Sequence, residues 1–171
     1  MSDMKWMIAR EIPHLRRYAR ALTRSADEAD DLVQDCLERA LRKRHLWRRS
    51  GRLRSWLFRM LYNIYLNHRR TLSRRPAVRS IDEESVPEPV APASQESRIE
   101  CQRVGEALER LPVAQRDAIL LVSLEGMPYD EAAWILDIPV GTLRSRLSRG
   151  RDALRETLVA TRPTPLLRRV K

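Results

Sequence analysis

Residues 129–158, Tyr-Asp-Glu-Ala-Ala-Trp-Ile-Leu-Asp-Ile-Pro-Val-Gly-Thr-Leu-Arg-Ser-Arg-Leu-Ser-Arg-Gly-Arg-Asp-Ala-Leu-Arg-Glu-Thr-Leu, read as a short helix, a tight turn and a basic second helix. Ala132, Ala133 and Leu136 supply small and apolar packing positions on the first helix, and Val140, Leu143, Leu147, Leu154 and Leu158 a helix-spaced stripe on the second. Pro139 has no N–H to continue a helical ladder, so the first helix cannot run on through it. Away from the stripe the second helix presents Thr142, Arg144, Ser145, Ser148, Arg149 and Arg151, donor types that reach phosphates and guanine edges in a major groove. A basic helix alone is more often just a solvated face. Here the paired helices, the turn and the flanking apolar spacing agree, and together they predict a reader of duplex DNA.

Charge divides the rest of the chain. The 171 residues carry a net charge of +10, and the length suits one ordinary domain or two small ones. From Arg39 to Ile81 there are 14 Arg or Lys and no Asp or Glu, whereas Ser80 to Ser97 holds Asp82, Glu83, Glu84, Glu88 and Glu96 and no basic residue. Pro87, Pro89 and Pro92 in that acidic stretch, with Pro76 just upstream, disfavour helix and core alike. Residues 76–96 are therefore predicted to be a flexible acidic linker between two helical domains, 1–75 and 97–162, with a basic tail at 163–171. Whether the linker is a plain tether or makes contacts stays open.

The fold class expected is all-α. Five glycines, one phenylalanine, no β-branched alternation and 3.6-residue periodicity over most of the non-linker chain all point that way. Cys36 and Cys101 are too few and too far apart for a metal cluster or a disulfide framework, and are expected to be reduced core thiols of a cytoplasmic protein. His14, His45 and His68 show no ligand spacing, so no metal or other cofactor is expected. No apolar run reaches membrane-spanning length, and the amino terminus has no signal-peptide core.

In the amino-terminal domain a helix is predicted over Ile12 to Leu22, with Pro13 in its first turn. Ser25 and Glu28 have capping-box spacing for a second, running to about Arg44, whose apolar positions are Ala29, Leu32, Val33, Cys36, Leu37, Ala40 and Leu41. A third, about Leu53 to Leu72, repeats the spacing with Leu53, Trp56, Leu57, Met60, Leu61, Ile64 and Tyr65, and three such helices can close a bundle. The carboxylates Asp27, Asp30, Asp31, Asp35 and Glu38 could suggest a magnesium site, but no glycine-rich phosphate cradle accompanies them, and the favourable field of a helix amino terminus already accounts for them. That field leaves over an exposed side, Asp31, Gln34, Asp35 and Glu38, suited to docking a basic partner. Downstream, the arginine-dense segment 42–56 with Trp47 and Trp56 suits unpaired or melting DNA, since arginines neutralise phosphates and indoles stack on bases. Core packing is the favoured reading of Trp56, which falls on the apolar stripe; Trp47 is undecided.

The arrangement resembles the small bacterial sigma factors of the extracytoplasmic-function group, which carry only sigma regions two and four. In region two the resemblance rests on Ala29-Asp30-Asp31-Leu32-Val33-Gln34-Asp35 and Trp56-Leu57-Phe58-Arg59-Met60-Leu61-Tyr62-Asn63. In region four it rests on Leu111-Pro112-Val113-Ala114-Gln115-Arg116-Asp117-Ala118, Tyr129-Asp130-Glu131-Ala132-Ala133 and Ile138-Pro139-Val140-Gly141-Thr142-Leu143-Arg144-Ser145-Arg146-Leu147. Both halves in this order, with a short linker, make it highly specific.

The resemblance implies a stress-responsive alternative sigma factor that directs promoter-specific initiation and has no catalytic residues. It implies that Asp31, Leu32, Gln34, Asp35 and Glu38 dock on the clamp of the large polymerase subunit, with the flap of the second-largest subunit as a further contact. Arg52, Arg54, Trp56, Arg59 and Asn63 would take the minus-ten element, with Asn63 at a captured base. Thr142, Arg144, Ser145, Ser148 and Arg149 would read the minus-thirty-five element. An anti-sigma factor is a further partner implied, and a monomer is expected when the chain is free. Three residues depart from the family pattern: Pro128 where a Ser cap is common, Asp137 where a turn Gly is common, and Trp134 where the first helix is usually small or aliphatic. The alternatives are a free-standing helix-turn-helix regulator, for which no dimerisation seam is found, a sigma mimic that sequesters an anti-sigma factor, and, more remotely, a nuclease.

Overall fold

The computed structural model describes residues 2–47, 52–73 and 95–160. Residues 48–51, residues 74–94, which hold most of the expected linker, and residues 161–171, which hold the expected basic tail, lie outside the described residues. Within them every regular element is helical: α1 (Ser2–Thr23), α2 (Ala26–Arg42), a 3₁₀ turn (Arg44–Leu46), α3 (Leu53–Ser73), α4 (Gln95–Glu109), α5 (Val113–Ile119) continuing into a π-helical turn (Leu120–Leu124), α6 (Tyr129–Leu136) and α7 (Val140–Ala160). None of these helices is long and apolar enough to cross a membrane.

Helices α1 to α3 form a bundle. Leu15, Tyr18, Ala19 and Leu22 of α1 meet Ala29, Leu32, Val33, Cys36 and Ala40 of α2 and Leu57, Phe58, Leu61 and Ile64 of α3 in its interior. The Tyr18 and Phe58 rings stack with centroids 5.1 Å apart, and the Tyr65 hydroxyl donates to the Leu22 carbonyl at 3.2 Å. At the start of α2 the Ser25 hydroxyl accepts from the Glu28 N–H, as its spacing predicts, with Asp27 and Glu28 in the first turn.

Three expectations need correction. Helix α1 begins ten residues before Ile12, so Pro13 lies inside it rather than in its first turn. The bond lost is to the Ala9 carbonyl, and Ala9 and Pro13 are both exposed, where water can take the acceptor. Leu41, expected in the buried face of α2, is 39% exposed, one residue before the helix ends at Arg42. Cys101, expected in a core, is exposed on α4, whereas Cys36 is fully buried, its thiol 3.5 Å from the Leu57 carbonyl and pushed up to about 12 by burial.

In the second unit α7 is the axis, packing in turn on α4, α5 and α6. Gly150 is where α5 crosses it: a β-carbon there would fall 2.8 Å from Ile119 Cδ1 and 3.2 Å from Gln115 Cβ. The two units are not separate bodies in space. Helix α3 lies along α6, and α1 reaches the π-helical turn.

Candidate nucleic-acid interface

The helix pair α6 and α7 is built by its small and aliphatic residues. Ala132 and Ala133, both buried, let α6 approach closely, and Leu143 and Leu147 seat α7 on it. The turn is closed by Asp137 in the left-handed conformation (φ 57°, ψ 48°), by the Ile138 N–H to the Ala133 carbonyl and by the Leu143 N–H to the Pro139 carbonyl. With Leu143, Leu147 and Gly150 turned inward, Arg144, Ser148 and Arg149 are left exposed on α7. Thr142 and Ser145 are half-buried, and the Ser145 hydroxyl donates to the Thr142 carbonyl at 2.9 Å. Arg151 bends back to the Ser123 hydroxyl at 3.3 Å.

The expected docking face of α2 is brought together except for one member. Asp31, Gln34 and Glu38 are exposed, and Gln34 donates to Glu38 at 3.2 Å. Asp35 is half-exposed and pairs with His68 of α3 at 3.4 Å. Leu32 is 1% exposed and belongs to the core, so it cannot touch a partner; its place in the sequence segment is that of the inward side of α2.

The residues expected at the minus-ten element, Arg52 just before α3 and the others on it, divide. Asn63 is exposed, and Trp56 packs half-buried against the core, as does Trp47. The three arginines are engaged by the other unit. Arg52 pairs with Glu131, which also accepts from the Ser55 hydroxyl. Arg54 donates to the Glu125 carboxylate at 3.0 Å and to the Glu125 carbonyl at 2.8 Å. Arg59 lies 4.4 Å from the centre of the Trp134 ring, donates to the Trp134 carbonyl and pairs with Asp137 at 3.2 Å.

Sequence reading missed the partners of these arginines. Glu125 follows the π-helical turn, has no side-chain exposure, and faces Arg17 of α1 at 2.7 Å, Arg54 at 3.0 Å and His14 at 3.6 Å. Its hydrogen bond holds Arg17 still more firmly protonated than a free guanidinium. Asp117 of α5, 1% exposed, accepts from the Tyr62 hydroxyl of α3 at 2.9 Å. Burial pushes the Asp117 carboxyl up, against the Tyr62 hydrogen bond and the charges of Arg116, Arg69 and Arg146. Burial, then the Asp117 charge, also pushes the Tyr62 phenol up. No local signal marks these pairs, since each joins residues more than fifty positions apart.

A raised carboxyl favours the protonated form in the fold, so this contribution to stability is full below the ordinary value of 3.8 and is lost as pH rises through the folded value. Asp117→Asn keeps an acceptor for Tyr62 and removes the buried charge. The variant should therefore gain stability over the parent as pH is raised from about 4 to 8, measured by denaturant titrations at each pH; a gap that closes with rising pH would contradict the assignment.

Comparison with known proteins agrees with this geometry. Residues 8–62 match the family described as the sigma2 domain of PhyR, and residues 101–154 match sigma-70 region 4. The chain is 36% identical over 143 residues to the extracytoplasmic-function RNA polymerase sigma factor EcfG of Rhodopseudomonas palustris, covering 84% of this chain and 78% of that protein. It superposes on the sigma factor RpoE of Bartonella quintana, solved with the anti-sigma factor NepR, with a TM-score of 0.79 and 32% identity over 95% of this chain and 100% of that one. CnrH, solved with the cytosolic domain of CnrY, gives a TM-score of 0.70 and 26% identity over 92% of this chain and 88% of that one.

Proposed function

The chain belongs to the extracytoplasmic-function sigma factors of bacterial RNA polymerase, and from that membership we propose how its surfaces share the work of initiation. A sigma factor directs promoter-specific transcription as a non-catalytic subunit of the polymerase. The amino-terminal unit docks on the clamp of the large subunit through Asp31, Gln34, Asp35 and Glu38, and takes the minus-ten element with Arg52, just before α3, and with Arg54, Arg59 and Asn63 of that helix. The carboxy-terminal unit meets the flap of the second-largest subunit and reads the minus-thirty-five element with α7. An anti-sigma factor holds the chain until stress releases it, a reading supported by the similar sigma factor RpoE, solved with the anti-sigma factor NepR.

One observation carries the DNA-reading half. Packing of Leu143, Leu147 and Gly150 leaves α7 no freedom to turn, so Arg144, Ser148 and Arg149 must face outward. Arg144 and Arg149 are separated along the helix by about 7.5 Å at 1.5 Å per residue and lie on different sides of the exposed face, so one reads a base edge while the other holds a phosphate. A bidentate arginine on guanine is worth about 1–3 kcal/mol of discrimination, whereas a phosphate contact weakens all sequences alike and lowers the salt slope by about one. Arg144→Ala and Arg149→Ala are to be assayed with core polymerase in run-off transcription, and for binding to a panel of minus-thirty-five sequences at several salt concentrations. One variant should relax sequence preference and the other should flatten the salt dependence. If neither changes affinity or preference, α7 is a solvated face; if the chain never supports transcription, the sigma mimic is the better reading.

A further inference from the structure

The turns by which α1 precedes its expected start carry Trp6, the most exposed aromatic side chain among the described residues, at 61%. The Arg10 guanidinium lies over its ring, 5.0 Å from the centre. Ile8 is buried, and Met4 and Met7 pack half-buried against the core, which turns Trp6 and Arg10 outward. Arg17 is eleven residues on from Trp6, three helical turns to within about 20°. Arg17 and Arg54 of α3 both hold the Glu125 carboxylate, at 2.7 and 3.0 Å, so the Trp6 to Arg17 stripe and the Arg54 side of α3 are one face of the bundle. Helices α1 and α3 meet in step, Glu11 with Arg54, Tyr18 with Phe58 and Leu22 with Tyr65. Since α3 starts at Leu53, the turns of α1 before Glu11 run on past it. Arg16 lies against Asp30 of the antiparallel α2, which sets Trp6 level with the end of that helix. Arg42, Lys43 and Arg44 are exposed there, at the head of the arginine-dense segment.

We propose that Trp6, backed by Arg10, is a stacking platform for an unpaired base of the melted promoter strand, beyond the bases met by α3. It rests on the reading that α3 and the arginines around its start meet that strand. A guanidinium over one face of the indole fixes its plane and brings positive charge to the phosphates, and an open indole offers its ring to any base, since every base has a π-face. A base still inside the duplex is stacked on its neighbours and cannot use the platform, so Trp6 favours melted over closed DNA without adding sequence preference. The basic residues at this end, Lys5, Arg10, Arg42, Lys43 and Arg44, suit a polyanion better than an apolar protein surface, whose core is depleted of charge.

The test uses the full chain in the polymerase holoenzyme, with the promoter of the run-off assay carrying a pre-melted bubble as the labelled probe. Trp6→Ala should keep parental helicity by circular dichroism and parental affinity for core polymerase, and should bind the bubble about fivefold or more weakly, the least expected from losing one base–aromatic stack. Trp6→Phe should recover most of the loss, and Trp6→Leu, apolar but with no ring to stack, should not. Abasic sites stepped along the melted strand should reveal one position at which Trp6→Ala costs nothing further, because the base it would stack is already gone. Parental bubble binding by Trp6→Ala, an equal loss at every abasic position, rescue by leucine, or weakened core affinity would each overturn the proposal, the last two by making Trp6 a protein contact. Asn63→Ala and Arg59→Ala separate the two readings. If both bind the bubble as the parent does, the minus-ten role of α3 falls and the platform with it; if both weaken it and Trp6→Ala does not, the platform alone falls.

Discussion

A chain carrying Asp31→Lys and Asp35→Lys should lose about a hundredfold or more in affinity for core polymerase, since disrupting a desolvated charge pair at an interface costs about 2–5 kcal/mol and each 1.4 kcal/mol is a factor of ten. The fold should survive. Asp31 is exposed and lies beyond the first turn of α2, whose amino-terminal field is served by Asp27 and Glu28. Asp35 gives up its pairing with His68, but both side chains are half-exposed, and such surface pairs are worth about 0–1 kcal/mol. Core binding measured by immobilised polymerase, alongside far-ultraviolet circular dichroism, decides the matter. Parental affinity with retained helicity would take the docking role away from this face.

Phe58→Ala should cost about 3–5 kcal/mol, the range for deleting a large aromatic ring from a packed core. Phe58 is completely buried, stacks on Tyr18 of α1 and lies beneath the Arg54 guanidinium, 5.5 Å from the ring centre. Its loss opens a void where α1 and α3 meet and removes the support that aims Arg54. A drop of roughly 10 °C or more in melting temperature is expected, since each kcal/mol shifts a domain of this size by several degrees. Scanning calorimetry measures it; a loss under about 1 kcal/mol would mean that the bundle closes without the ring.

What the sequence made legible was local. The Ser25 cap and the apolar spacing of α2 and α3 are set by residues three or four apart, and α6 and α7 by the same spacing plus one turn, so periodicity alone found them. The start of α1 was hidden because a proline suggests a helix beginning, while the packing of Ile8 and its neighbours, which extends the helix past it, is decided in three dimensions. Leu32 shows a related effect: a helical segment can match a docking motif while its residues three and four apart, Ala29, Leu32, Val33 and Cys36, turn inward. Trp134 and Asp137 were visible as anomalies in the chain, but Arg59, the residue that explains them, lies 75 and 78 positions away. Glu125 carried no mark at all, since a glutamate after an apolar run is ordinary until Arg17 and Arg54 are seen around it.

The contacts between α3 and α6 belong to one polypeptide, with residues 74–94 joining their two units. A tether of that order confines each unit to a small volume around the other, at an effective local concentration in the millimolar range. The buried contacts of Glu125 and Asp117 and the partly exposed pairs of Arg52 and Arg59 then need supply less binding energy to keep the units together than they would between two separate proteins. The same logic sets a requirement on the covalent chain itself. A single proteolytic cut between Ser73 and Gln95 would leave every contact of the interface chemically intact, but would let the halves drift apart on dilution.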